Sequence, residues 1–211
     1  MRLEVVIPYR DRQEHLQKLM PHLWKVLTDQ GLDFRITIVE QEPGKKFNLG
    51  MMRNIGFLER PDADYYCFHD VDMYAEDVDY SYTDMPTHLA YACEQFNYKL
   101  PYRTYFGGVT LFDKASYEKI NGHANWYWGW GAEDDDLYWR VALVGFKRRY
   151  GRFWSELHNR PGSKESQNEN HKKYRANLET TEEKSGLHNC RYTVIKAEEY
   201  NSRLRTILVS I

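Results

Sequence analysis

The sequence has no apolar run approaching the roughly 18 residues that a membrane-crossing helix needs, so no spanning helix is expected within it. Its cysteines are few: Cys67, Cys93 and Cys190 stand far apart and without metal-type spacing. So sparse a set excludes a disulfide framework or zinc cluster and fits reduced thiols in a cytoplasm-like compartment. Excess positive charge is also missing. Lys and Arg total 29 against 31 Asp and Glu, for a formal net charge of -2, so nothing suggests a nucleic-acid footprint. There is no Asn-x-Ser/Thr sequon, no internal repeat and no linker-like stretch. Met1 runs straight into LEVVIPY, where a signal peptide would carry a charged and then an apolar region.

What is present suits one soluble enzyme-sized unit. A chain of 211 residues, 42% hydrophobic and 28% charged, predicts a single domain over 1–211 with a substantial core. Aromatics reach 15%, with 17 Tyr and 6 Trp. Flat rings suit sugars and bases, but composition alone favours a tyrosine-rich core.

Periodicity predicts strands over Leu3–Pro8, Phe34–Glu40 and Tyr65–His69, with helices over Arg12–Asp29 and Leu49–Glu59 between them. Pro21 should kink or split the first helix. This alternation indicates an α/β fold with right-handed parallel connections. Further on, a strand is expected over Tyr105–Phe112, helices over Lys114–Ile120 and Glu133–Val144, and strands near Tyr192–Lys196 and Thr206–Ile211. The polar stretch 158–173 reads as a long loop, of the kind that forms lids.

Four clusters can carry chemistry. Asp70-Val71-Asp72 follows a short apolar strand, at the strand end where α/β sheets bind ligands. In an extended segment the two carboxylates face one way and can hold a divalent ion; a chance surface turn reads the same. The string Trp128-Gly129-Trp130-Gly131 precedes Glu133-Asp134-Asp135-Asp136. Its glycines allow the loop to pivot about Trp130, and the acids open a helix whose dipole favours them. Successive helical residues turn by about 100°, so only one or two of these acids can serve a site. Glu156 and His158 are spaced to bracket a metal, though a lone histidine is more often structural. Arg10 and Arg12, after Pro8, suit phosphate or base contacts; a solvated helix start capped by Asp11 fits as well.

These motifs resemble the β-1,4-galactosyltransferase family (glycosyltransferase family 7). The matching pieces are PYRDR at 8–12, FNLGMMRNIGF at 47–57, DVD at 70–72, LPYRTYFGGVTLF at 100–112 and NGHANWYWGWGAEDDDLYWR at 121–140, with GLHNCRYTV at 186–194 a looser match. The branch it most resembles is that of the xylosylprotein galactosyltransferases. The resemblance implies a GT-A type, Rossmann-like mixed sheet flanked by helices, which inverts the anomeric centre as it moves galactose from UDP-galactose to a saccharide acceptor with Mn2+ as cofactor. It implies Asp72 and His158 as metal ligands, Asp70 holding the donor, and Pro8, Arg10, Arg12, Phe47 and Val71 in the nucleotide pocket. Asp134 would be the general base, with Glu133 and Asp135 on the sugars and Trp130 on a mobile loop touching donor and acceptor. Tyr102, Tyr105, Gly107 and Gly108 would border the sugar site, Tyr105 favouring galactose over N-acetylgalactosamine.

The chain departs from the pattern in two places. Glu156 stands where that branch has the first His of His-x-His, so its role as a ligand is a hypothesis. The family's FNRA reads FNLG, replacing an arginine near the diphosphate with Leu49 and leaving Arg53 as the candidate to compensate. The usual amino-terminal anchor has no counterpart here, so a cytoplasmic enzyme is expected; the alternative is a Golgi luminal catalytic domain whose anchor was removed. The rival functions are transfer of N-acetylgalactosamine on the same fold and a non-catalytic sugar-binding module.

Overall fold

A computed structural model describes residues 1–156, 163–179 and 185–211. Its first half alternates as the periodicity requires: β1 (Arg2–Tyr9), α1 (Gln13–Asp29), β2 (Asp33–Gln41), α2 (Leu49–Leu58) and β3 (Tyr65–His69). Leu3, Val5 and Ile7 point to one face of the sheet and meet Leu19, Leu23 and Leu27 of α1. Val6 points to the other and meets Met52 and Ile55 of α2. These are the period-2 and period-3.6 patterns of a sheet covered on both sides. Pro21 does not split α1. It lies exposed, as does Gln17 one turn earlier, so the carbonyl left without a donor is open to water.

The remaining elements are β4 (Met73–Val78), β5 (Thr87–His88), β6 (Ala92–Cys93), β7 (Val109–Asp113), α3 (Lys114–Lys119), α4 (Glu133–Ala142), β8 (Lys147–Arg148), β9 (Gly151–Ser155), α5 (Ser163–Glu179), β10 (Thr193–Asn201) and β11 (Leu204–Ser210). The main sheet runs β10-β11-β2-β1-β3-β7-β5-β8, and a second runs β4-β9-β6. It is mixed, because β7 lies antiparallel to β3 and β10 antiparallel to β11. β1 is parallel to both β2 and β3, so the PYRDR and DVD segments leave the same edge of the sheet.

Two expectations are corrected. The strand foreseen from Tyr105 begins only at Val109, because Gly108 at φ 74 breaks extended geometry. The polar stretch foreseen as a loop is helical from Ser163. α5 lacks an apolar stripe because Ser166, Asn170 and Asn177 of its inward face meet polar groups, with Tyr174 alone packed on the small cluster of Ala124, Tyr127 and Ala132. No helix among the described residues is long and apolar enough to cross a membrane.

Candidate active site

β3 delivers Asp70 to the carboxyl edge of the sheet. There the chain turns at once: Met73 N–H donates to the Asp70 carbonyl at 3.3 Å, and Asp70 N–H to the Gly108 carbonyl at 3.2 Å. The DVD triplet is therefore a turn and not the extended segment foreseen, and its two aspartates part company. Asp70 accepts from Arg53 Nη2 at 2.7 Å. Asp72 is only 8% exposed, and its carbonyl accepts from Glu156 N–H at 3.2 Å. That bond places the end of β9 beside the turn.

Arg53 rises from α2 with its side chain 1% exposed. Its Nη1 stands 3.9 Å from Asp134 Oδ1 and 3.3 Å from His123 Nε2. The Asp134 carboxylate lies directly over Gly107, where a Cβ would overlap it. Its side chain is 23% exposed. Burial, then Glu133 and Asp70, push its carboxyl well above the usual carboxylate range, with Arg53 pulling the other way. Glu133 is raised as well, chiefly by burial. Raised proton affinity is what general-base chemistry uses, and buried ion-pair networks produce it too.

The WGWG loop reaches α4 through left-handed backbone at Gly129 (φ 80), Gly131 (φ 102) and the helix N-cap Ala132 (φ 74). None of the four acids caps this helix. Asp136 is not solvated, as helix decoration would be: it is buried, paired with Arg140 Nε at 2.5 Å and bonded by the Tyr127 hydroxyl at 3.2 Å. Asp135 turns the other way and accepts from Thr104 Oγ1 at 3.4 Å and from the Tyr102 hydroxyl. One turn of helix thus sends Glu133 and Asp134 towards Arg53, Asp135 to Thr104 and Tyr102, and Asp136 to the core. Trp130 remains 40% exposed. Asn170 of α5 holds the loop backbone, its Nδ2 donating to the carbonyls of Trp128 at 3.2 Å and Trp130 at 3.3 Å.

Tyr105 is 8% exposed, packed edge-on against Tyr102, His88 and Phe96. His88 Nε2 lies 3.0 Å from the Gly107 carbonyl, and burial lowers its pKa to about 3, so it is neutral and donates there. On the β1 side, Arg10 stacks on Phe47 at 5.3 Å and donates to the Lys45 carbonyl at 2.8 Å. Phe47 in turn accepts from Gly129 N–H at 2.7 Å, which ties this segment to the WGWG loop. Pro8 is buried at the end of β1, and Arg12 is the N-cap of α1 without a side-chain cap; Asp11, the foreseen cap, adopts φ 53 instead.

Glu156 is engaged by α1: Lys18 Nζ at 2.6 Å and His15 Nε2 at 3.6 Å, with the Tyr74 hydroxyl at 3.3 Å. The Lys18 ammonium, then burial working against it, leave its carboxyl below the usual range. His158 lies outside the described residues. Among those residues, no three His, Cys, Asp or Glu side chains converge on a metal position. A surface hollow of about 450 Å³ lined by Lys119, Ile120, Arg140, Leu143, Val144 and His188 shares no residue with this site.

Sequence motifs indicated Asp70, Asp72, Asp134 and Tyr105; the fold brings Asp70, Asp134 and Tyr105 together around Arg53, Gly107 and Gly108, and sets Asp72 beside Glu156. The buried polar chain behind Arg53 was not foreseen. His123 Nδ1 lies 2.7 Å from the Tyr117 hydroxyl, which donates to Asn54 Oδ1 at 2.7 Å. The NGHAN segment carries a histidine that only the α2 contact gives meaning.

Residues 1–84 match the model for the N-terminal region of glycosyl transferase group 7, and residues 87–165 match that for the N-terminal domain of galactosyltransferase. Human β-1,4-galactosyltransferase 2 is 37% identical over 203 residues, covering 91% of this chain and 54% of that protein. β-1,4-Galactosyltransferase 4 of Cricetulus griseus is 37% identical over 207 residues, covering 93% and 60%. The chain thus spans little more than half the length of these relatives. The catalytic domain of Drosophila β1,4-galactosyltransferase 7, solved with xylobiose, superposes with a TM-score of 0.80 at 26% identity, covering 100% of this chain and 94% of that one. A variant of the same enzyme, solved with manganese, UDP-Gal and xylobiose, matches equally.

Proposed function

Because the chain belongs to the β-1,4-galactosyltransferase family, we propose that it transfers galactose from UDP-galactose to a sugar hydroxyl, with inversion and with Mn2+. The observation that carries this reading is the Asp134 carboxylate, seated over Gly107 and linked to Asp70 through Arg53.

The residues suit the metal. Asp72 and Glu156 offer hard carboxylate oxygens on neighbouring chain segments, and His158 adds an imidazole two positions on. We assign Asp72 and His158 as ligands. Glu156, now paired with Lys18, would join them if it gave up that ammonium for the ion. Bound there, the ion supplies charge to offset the diphosphate as UDP leaves.

The chain's own residues do the rest. Arg10, Phe47 and Pro8 seat the nucleotide, with Val71 and Asp70 beside the donor and Arg12 at the rim. Tyr102 and Tyr105 wall the sugar site with Gly107 and Gly108. Asp134 accepts the proton of the attacking hydroxyl as that oxygen bonds to the anomeric carbon and the bond to UDP breaks. Such a base contributes about 10²–10⁴-fold. One base acting opposite the leaving group inverts the centre. Glu133 and Asp135 orient the two sugars, and Trp130 covers them and keeps water from the donor. The free thiols Cys67, Cys93 and Cys190 support a reducing, cytoplasm-like setting.

The test is UDP release from UDP-galactose with Mn2+, across acceptors ending in xylose, N-acetylglucosamine or glucose, with a chelator control. Chelator-sensitive release with at least one acceptor is expected. Release that is independent of both acceptor and metal would overturn the reading. Asp72→Ala should weaken UDP binding in Mn2+, and unchanged binding would remove Asp72 as a ligand.

A further inference from the structure

We propose that Arg53 is a positioning residue: from beneath the site its guanidinium bridges Asp70 and Asp134, fixing the donor-side carboxylate and the base relative to one another. The inference rests on the reading of Asp134 as the base.

A guanidinium stripped of water is costly unless its hydrogens and charge are matched. Arg53 is 1% exposed, so it offers nothing to a ligand in the cleft. It cannot stand in for a diphosphate-binding arginine, the role for which the sequence made it a candidate. Its groups are spent inside the protein. Nη2 donates to Asp70 at 2.7 Å, and Nη1 faces His123 Nε2 at 3.3 Å and Asp134 at 3.9 Å, while Nε has no partner.

The bridge is held from behind. Burial, then the charges of Arg53 and Arg140, keep His123 neutral. For Nε2 to accept from Arg53, its proton must sit on Nδ1, which donates to the Tyr117 hydroxyl at 2.7 Å. Tyr117 then donates to Asn54 Oδ1 at 2.7 Å, and the same oxygen accepts from His123 N–H at 2.9 Å. From His123 through Tyr117 to Asn54 each donor meets an acceptor, which fixes the imidazole that Nη1 faces.

In front, three carboxylates crowd together. The charge of Asp70 raises the proton affinity of Glu133 and Asp134, Glu133 raises that of Asp134, and Arg53 opposes both. Remove the cation, and Asp70 and Asp134 repel with nothing between them. The base then shifts on the scale of about 1 Å that costs roughly 10²-fold in rate.

The test is a double-variant cycle of Arg53→Met and Asp134→Asn, reading kcat, KM for donor and acceptor, UDP affinity in Mn2+, and Tm. If Arg53 acts on the base through Asp134, Arg53→Met lowers kcat about 10²-fold with the acceptor KM little changed, and adds nothing to the kcat loss in the Asp134→Asn background. Tm falls in Arg53→Met and recovers when Asp134→Asn removes the unpaired charge. Arg53→Lys, which keeps the charge but loses the fork, falls between wild type and Arg53→Met. Losses that multiply in the double variant, or a wild-type kcat in Arg53→Met, overturn the proposal. If Arg53→Met does not fold, the same cycle with Arg53→Lys decides by the same two criteria. A wild-type protein that transfers no galactose sinks the proposed function instead, and the Tm coupling between positions 53 and 134 still reads the bridge.

Discussion

Gly107→Ala is a sharp test of the proposed base, because the added atom goes where the Asp134 carboxylate now sits. An ideal Cβ at 107 would stand 2.7 Å from Asp134 Oδ1, with Oδ2 and Cγ closer still. Ordinary contact begins near 3.4 Å, so the carboxylate must withdraw by about 1 Å, a displacement worth roughly 10²-fold in rate. Gly107 does not have a left-handed φ, so alanine adds crowding and no backbone strain. Overpacking costs about 1–3 kcal/mol, which for a domain of this size lowers Tm by roughly 2–12 °C. The expected variant is folded, binds UDP in Mn2+ normally, and turns over about 10²-fold more slowly. The assay is a UDP-release time course at saturating donor and acceptor, beside a melting curve. A Gly107→Ala protein with wild-type kcat would show that the Asp134 carboxylate does not act from over Gly107, and the mechanism would fall with it.

Asp134→Asn should keep UDP binding and lose transfer by about 10²–10⁴-fold, and near wild-type turnover would refute the base. The same variant should change the pH dependence of stability. The folded carboxyl holds its proton above the ordinary aspartate value of 3.8, chiefly through burial. Folding therefore takes up a proton between that value and the raised one, and stability falls as pH rises through this window. Asp134→Asn should flatten that slope in Tm measured against pH, and an unchanged slope would contradict the burial argument. Tyr105→Leu should admit UDP-N-acetylgalactosamine as donor, and an unchanged donor ratio would remove Tyr105 as selector. Lys18→Met should tighten Mn2+ binding if Glu156 trades the ammonium for the ion, read by titration of the metal without donor. Unchanged affinity would leave Glu156 a structural ion-pair partner of α1.

Much of this protein was decided locally. The alternation of Leu3, Val5 and Ile7 against Val6, and the spacing of Leu19, Leu23 and Leu27, sufficed for β1 and α1, because burial on a sheet or helix face imposes a period that a reader can count. Short motifs likewise carried the DVD and EDDD acids to the right strand and helix ends. What no local pattern held was the work of contacts between distant segments. α5 shows no apolar stripe because its inward face bonds loop carbonyls, so periodicity had nothing to register. The strands β5, β6 and β8 are two residues long and exist only as partners to their neighbours. DVD reads as extended in sequence but turns, with Met73 N–H closing on the Asp70 carbonyl while the Asp70 side chain meets a guanidinium 17 residues away. Arg53 looks like a surface arginine in a helix. Only the packing of α2 beneath Asp70, Asp134 and His123 buries it, and burial turns an ordinary charge into a fixed bridge.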